Sequence, residues 1–229
     1  VLFLGFASGL PLALTGQALQ AWLAVDGVDI ATIGFFGLIG APYTFKFLWA
    51  PLMDRFEPPW LGRRRGWLAL TQGGLALTLL IMSGLSPSRQ PTLFAQWAVL
   101  LAFLSASQDI VVDAYRADAL NDKAEHGLGA SLHVFGYRLA MIVSGGIALI
   151  WADQWQSWPR VYALMGTIMG IFAALSLFLL PPVRSESKPL ASSPAREIAG
   201  FAAMLVGVFS GYYLARSLLS LLGFDPGGG

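Results

Sequence analysis

The segment Ser105-Ala106-Ser107-Gln108-Asp109-Ile110-Val111-Val112-Asp113-Ala114-Tyr115-Arg116 begins inside a long apolar run and carries four strongly polar side chains into its last turns. On a helix, Ser105, Asp109, Asp113 and Arg116 follow an i, i+4, i+8, i+11 ladder and form one polar stripe. Holding an ionisable side chain in a bilayer costs roughly 2.5–3.5 kcal/mol even on the gentlest insertion scale. A membrane helix with such a stripe turns it toward a water-filled path or toward partner charges. The chemistry implied is passage of a polar or charged solute.

Other apolar runs hold the groups such a path needs. Gly40-Ala41-Pro42-Tyr43-Thr44-Phe45-Lys46 places a cation about 9–10 Å in from the arginine-rich end of its span, at 1.5 Å per residue. Pro42 opens the backbone ladder there, which is tolerated where the freed groups face a cavity. Lys46 either snorkels to the interface or pairs with Asp109, which counts to about the same depth; a pair at one depth is the cheaper arrangement. In Gly136-Tyr137-Arg138 the arginine counts to about 16 Å, near the midplane and too deep for easy snorkelling. Gln17 and Gln20 lie one turn apart and are suited to hydrogen-bonding either a polar solute or a neighbouring helix. His133 reads as a satisfied core histidine. The ladder Gly5-x-x-x-Gly9-x-x-x-Ala13, with Gly127, Gly129, Gly136, Gly145 and Gly146, provides small residues for close helix approach.

The elements that carry these groups are membrane spans. Of 229 residues 56% are hydrophobic and only 12% charged, against about 25% charged in soluble domains, so the chain is an integral membrane protein. Hydropathy predicts seven spans, near Val1–Val25, Thr32–Met53, Gly66–Leu85, Thr92–Arg116, Gly127–Trp151, Pro159–Leu180 and Ile198–Phe224. The loops after spans 2, 4 and 6 hold Arg55, Arg63, Arg64, Arg65, Arg116, Lys123, Arg184, Lys188 and Arg196; those after spans 1, 3 and 5 hold only Arg89 and Arg160. That imbalance predicts a cytoplasmic N-terminus. The formal net charge of +1 gives no footprint for nucleic acid, and zero cysteines with two histidines suggest neither a metal site nor a cofactor. Residues 1–180 are expected to form a six-helix bundle, 181–197 a Pro- and Ser-rich cytoplasmic linker, and 198–229 an additional helix with a Gly-rich end. The absence of an initiating Met, the odd span count and the Gly-Gly-Gly end read as an excerpt of a longer transporter, whose second half would be this chain's partner.

After span 2 the chain reads Ala50-Pro51-Leu52-Met53-Asp54-Arg55, then Gly62-Arg63-Arg64-Arg65-Gly66. This resembles the loop signature G-x-x-x-D-R-x-G-R-R of the major facilitators, with Ala50 where Gly is usual and Phe56–Leu61 widening the turn. The resemblance implies that Asp54 and Arg55 lock the cytoplasmic gate, and Asp113 and Arg116 at a neighbouring span end are assigned to the same gate. Arg63, Arg64 and Arg65 read as charges that set topology. Blocks 40–55, 62–67, 105–114 and 136–139, agreeing in order, resemble the anhydromuropeptide permease (AmpG-type) family, the peptidoglycan-recycling branch of that superfamily. The likeness covers spans 1 to 6, about three quarters of the chain.

The resemblance implies an all-α bundle of two inverted three-helix repeats. It also implies an inner-membrane permease that imports N-acetylglucosaminyl-anhydro-N-acetylmuramyl peptides, driven by protons, for wall recycling and β-lactamase induction. In that setting Lys46 and Arg138 would meet substrate carboxylates, while Gln17, Gln20, Tyr43, Gln108 and Tyr137 would bond sugar and amide groups. Asp109, alternately facing apolar surroundings and cations, is the candidate proton carrier. An acetyl-CoA or other organic-anion carrier needs the same cations. A membrane-embedded acyl- or glycosyltransferase would need a loop cluster, and only Asp122, Glu125 and His126 offer one, in a run that reads as a solvated turn.

Overall fold

The computed structural model describes residues 1–55, 58, 62–120, 123–181 and 183, with the side chains of Ala31, Phe35, Leu52, Arg55, Lys123 and Ala124 outside the description. Residues Val1–Ser185 make one compact unit. The expected linker, apart from Pro181 and Val183, and the expected helix 198–229 lie outside the described residues. Among those described, every element is helical.

Five helical stretches have the length and hydropathy of membrane spans: Leu2–Val25, Arg63–Ser83, Pro91–Ala119, Glu125–Trp155 and Trp158–Leu179. The first is α1 (Leu2–Thr15) followed by α2 (Gln17–Val25), broken at Gly16. The break frees the Leu14 carbonyl, and the Tyr162 hydroxyl donates to it at 2.7 Å, so the opened backbone stays satisfied in a medium without water.

Span 2 departs most from expectation. Instead of one helix it is α3 (Ile30–Phe36), a 3₁₀ turn (Gly37–Gly40), α4 (Ala41–Phe45), a second 3₁₀ turn (Lys46–Leu48) and α5 (Ala50–Arg55). The cause is local: Pro42 donates no hydrogen bond and clashes with the preceding turn, and Gly37 and Gly40 do little to hold that turn.

The fold continues with α6 (Arg63–Ser83), α7 (Pro91–Ala119), α8 (Lys123–Met141), a π-helical turn (Ile142–Ile147), α9 (Ala148–Trp155) and α10 (Trp158–Leu179). Two boundaries correct the sequence reading. Arg63–Arg65 form the first turn of α6 and not a loop, and Lys123–His126 form the first turn of α8, with Glu125 and His126 exposed; Asp122 lies outside the described residues.

Helix pairing follows a two-fold pattern. In the first triplet the members are α1–α2, α3–α5 and α6; in the second they are α7, α8–α9 and α10. The first member of each triplet packs on the second member of the other, α1 on α8 and α7 on α4; the first members pack together, and so do the third, α6 on α10. This is the packing expected of paired repeats.

The α1–α8 seam is the tightest. A Cβ on Gly5 would collide with the His133 carbonyl, one on Gly136 with the Leu2 carbonyl, and one on Gly9 would stand 2.5 Å from the Tyr137 carbonyl oxygen. Ala13 continues the ladder, its Cβ 3.5 Å from where a Cβ on Gly145 would stand, whereas Gly127 and Gly146 face open space. The core gathers around Trp22, whose ring meets Phe94 edge-on at 4.9 Å and Tyr162 at 4.6 Å. Outside, Phe135, Ile142, Ile150, Ile171 and Phe178 are exposed, an arrangement suited to hydrocarbon.

Candidate functional site

Lys46, at the second break of span 2, reaches Asp109 on α7, Nζ to Oδ2, at 3.7 Å. The pair inferred from depth alone is therefore present. Its partners differ in burial: the Asp109 side chain is 15% exposed and that of Lys46 36%. The other Asp109 oxygen accepts a hydrogen bond from the Ser8 hydroxyl of α1. Ser8 was not singled out in the sequence, where it is one small residue in a small-residue helix; its position one residue before Gly9 on the seam was the available signal.

A cavity of ≈ 260 Å³ lies beside this pair, lined by Ser8, Asp109, Asp113, His133, Val134 and Tyr137. Three helices build it. The close α1–α8 approach sets Ser8 opposite His133 and Tyr137, and α7 supplies Asp109 and, one turn on, Asp113. His133 is thus not the satisfied core histidine expected: it is half-buried on the cavity wall, and its Nδ1 has no hydrogen-bond partner among the described residues.

The other expected site residues are distributed around this centre. Tyr43 is half-buried, its hydroxyl 3.4 Å from Thr15 Oγ1. Arg138 is exposed one turn beyond Val134, on the helical face that lines the cavity, with no ion-pair partner among the described residues. Gln17 and Gln20 are exposed on α2. Gln108 is fully buried, is not on the cavity wall, and neither amide atom has a partner among the described residues. A second cavity of ≈ 510 Å³ at the opposite end of the bundle, between Trp22, Asp26, Asp153 and Trp158, has no cation on its wall among the described residues.

At the arginine-rich end a separate ion cluster forms. Arg64 Nη1 meets Asp54 Oδ1 at 2.6 Å and Arg64 Nε meets Asp118 Oδ2 at 2.7 Å, joining α5, α6 and α7. Arg63 donates to the Asp54 backbone carbonyl at 2.6 Å, and Arg65 donates to the Leu177 carbonyl near the end of α10. Three cations on the first turn of a helix oppose its dipole; these carboxylates and carbonyls offset that. Asp54 thus pairs through its side chain with Arg64, which also holds Asp118. The Asp113 and Arg116 side chains pair instead with each other, at 3.2 Å along α7. The Arg55 side chain lies outside the described residues. Among those residues no group of three or more His, Asp and Glu is placed to hold a metal.

A broken-helix bundle with an ion pair held beside a central cavity is the build of a secondary transporter half, and comparison with known sequences agrees. The chain belongs to the Major Facilitator Superfamily, whose profile matches residues 1–226. Over 190 residues it is 50% identical to the anhydromuropeptide permease of Escherichia coli K12, a match that takes in 83% of this chain and 38% of that protein. Over 179 residues it is 37% identical to the putative transporter AmpG 4 of Rickettsia conorii, covering 75% of this chain and 43% of that one. The chain thus spans less than half the length of the curated relatives it matches. The resemblance carried by the four motif blocks is confirmed, and these relatives are named as a permease and a transporter, not as enzymes.

Proposed function

We propose that this chain is the N-terminal half of a proton-coupled permease that brings anhydromuropeptides across the bacterial inner membrane into the cytoplasm, with its own N-terminus cytoplasmic. The observation that carries the reading is the Lys46–Asp109 pair beside the cavity. A proton arriving from outside neutralises Asp109 and releases Lys46, whose charge then becomes available to a substrate carboxylate. Arg138, without an ion-pair partner among the described residues, holds a second carboxylate, and Gln17, Gln20, Tyr43 and Tyr137 supply hydrogen bonds for sugar and amide groups. When Asp109 gives up its proton inward, Lys46 returns to it and the substrate is displaced. The Arg64 bridge between Asp54 and Asp118 ties the cytoplasmic span ends together and steadies one gate conformation. The likeness to the anhydromuropeptide permease of Escherichia coli supports the substrate class.

The test is uptake of a labelled anhydromuropeptide by the full-length transporter in proteoliposomes, with labelled acetyl-CoA in parallel. Concentrative uptake of the muropeptide, lost in Asp109→Asn while downhill exchange survives, is the expected result. Arg138→Gln is expected to weaken anionic ligands far more than a neutral sugar analogue, because it removes a positive charge that only an anionic group would meet. Uptake of acetyl-CoA alone, or wild-type accumulation by Asp109→Asn, would overturn the proposal.

A further inference from the structure

Asp113 and His133 are the two titratable groups on the cavity wall for which neither the substrate site nor the Arg64 cluster has a use. Asp113 follows Asp109 by one helical turn, about 6 Å nearer the arginine-rich end of α7. Its side chain is 53% exposed, and its partner Arg116 lies on its own helix. His133 enters the wall from α8 with Nδ1 unpartnered among the described residues. The half-buried Asp109 and the more exposed Asp113 line the same cavity, and ≈ 260 Å³ is room for several waters.

We propose that Asp113 and His133 form the inward leg of the proton path that begins at Asp109. The inference rests on Asp109 being the proton carrier. The step balances without a co-reactant: the protonated Asp109 carboxyl gives its proton, through water in the cavity, to the Asp113 carboxylate or to His133 Nδ1, and becomes the carboxylate that pairs with Lys46. The acceptor then passes the proton to the aqueous phase at the arginine-rich end. The surrounding charges define the path. From span 2, Lys46 holds Asp109. From α7, Arg116 stands beside Asp113 at 3.2 Å and, with Asp113, is among the charges nearest His133. From α1 comes the Ser8 hydroxyl on Asp109. From α8, Tyr137 completes the wall. Among the described residues Asp109 pairs with Lys46 and Asp113 with Arg116, so the two carboxylates have different cations, and Arg138 follows Val134 by one turn on α8.

The experiment uses the full-length transporter in proteoliposomes and compares Asp113→Asn, His133→Gln and the double variant. Accumulation driven by a pH gradient is measured beside equilibrium exchange, which moves no net proton. The double variant is expected to accumulate about tenfold more slowly and to show a flattened rate profile between about pH 5.5 and 8, with exchange within about twofold of wild type. Asp113→Glu, which still titrates, is expected to restore accumulation. Wild-type accumulation and an unchanged pH profile in the double variant would refute the relay while leaving Asp109 in its role. A parallel fall of exchange and accumulation, unrestored by Asp113→Glu, would refute it too, by assigning the pair to packing or binding. Wild-type accumulation by Asp109→Asn would instead remove the parent reading.

Discussion

Replacing Lys46 with methionine keeps an unbranched side chain one atom shorter and deletes its charge, leaving Asp109 with Ser8 as its side-chain partner among the described residues. Two unit charges 3.7 Å apart interact by about 1 kcal/mol in a water-like medium and about 4 kcal/mol at an effective dielectric of 20. Lys46 is 36% exposed, so screening brings the coupling to roughly 1–2 kcal/mol. The single variants are expected to be unequal. Lys46→Met strands the more buried partner, whereas Asp109→Asn strands a flexible cation that can reach solvent. A double-mutant cycle on the full-length protein, followed by unfolding in detergent near pH 8, should therefore show Lys46→Met as the more damaging single change and the double variant as less damaged than the sum. The penalty of Lys46→Met should shrink as pH is lowered, because a protonated Asp109 needs no cation. Additive effects, or a larger loss in Asp109→Asn than in Lys46→Met, would refute the reasoning.

Gly9→Ala and Gly136→Ala should each destabilise the bundle by about 1–3 kcal/mol, since their Cβ atoms meet backbone; Gly146→Ala, facing open space, should stay within about 0.5 kcal/mol in the same unfolding assay. Arg64→Gln should shift the balance of inward- and outward-open states, read by cross-linking across the gate. Arg116→Ala should shift it far less, because Arg64 joins three helices and Arg116 pairs along one. Orientation is testable because the chain has no cysteine: Ala117→Cys should be shielded from an impermeant maleimide on intact cells and Gln90→Cys labelled. These positions suit the test better than Gly62 or Gly27, whose positive φ of 74° and 77° would strain a cysteine. Strong external labelling at position 117 would reverse the topology.

Five of the seven expected spans and the ion pair were legible because they follow from one-dimensional rules. Apolar length marks spans whatever their neighbours, and counting 1.5 Å per residue put Lys46 and Asp109 at one depth before any packing was known. The small-residue ladder Gly5, Gly9, Ala13 was legible for the same reason. Depth carries no azimuth, however. It could not show that Gln108 turns into the helix packing while Asp109, its neighbour, turns to the cavity, or that His133 shares that cavity. Nor could loop composition show that Arg63–Arg65 begin a helix and that Arg64 selects Asp118. That choice depends on where α7 ends against α6, a tertiary fact. Pro42 marked the place where span 2 opens, but not that it would open on both sides of α4.

The glycine seam also constrains motion. Where two backbones touch without intervening side chains, no slack remains for one helix to slide on the other, so α1 and α8 travel as one body. In the proposed transport cycle Ser8, His133 and Tyr137 are then expected to keep their mutual distances. Lys46 stands on the opposite footing, at the end of a short helix between two 3₁₀ turns, in the span with the least regular hydrogen bonding. The centre thus has a fixed wall and a movable cation. A ligand that draws Lys46 away from Asp109 does its work on span 2, which continues through α5 to Asp54 and the Arg64 bridge.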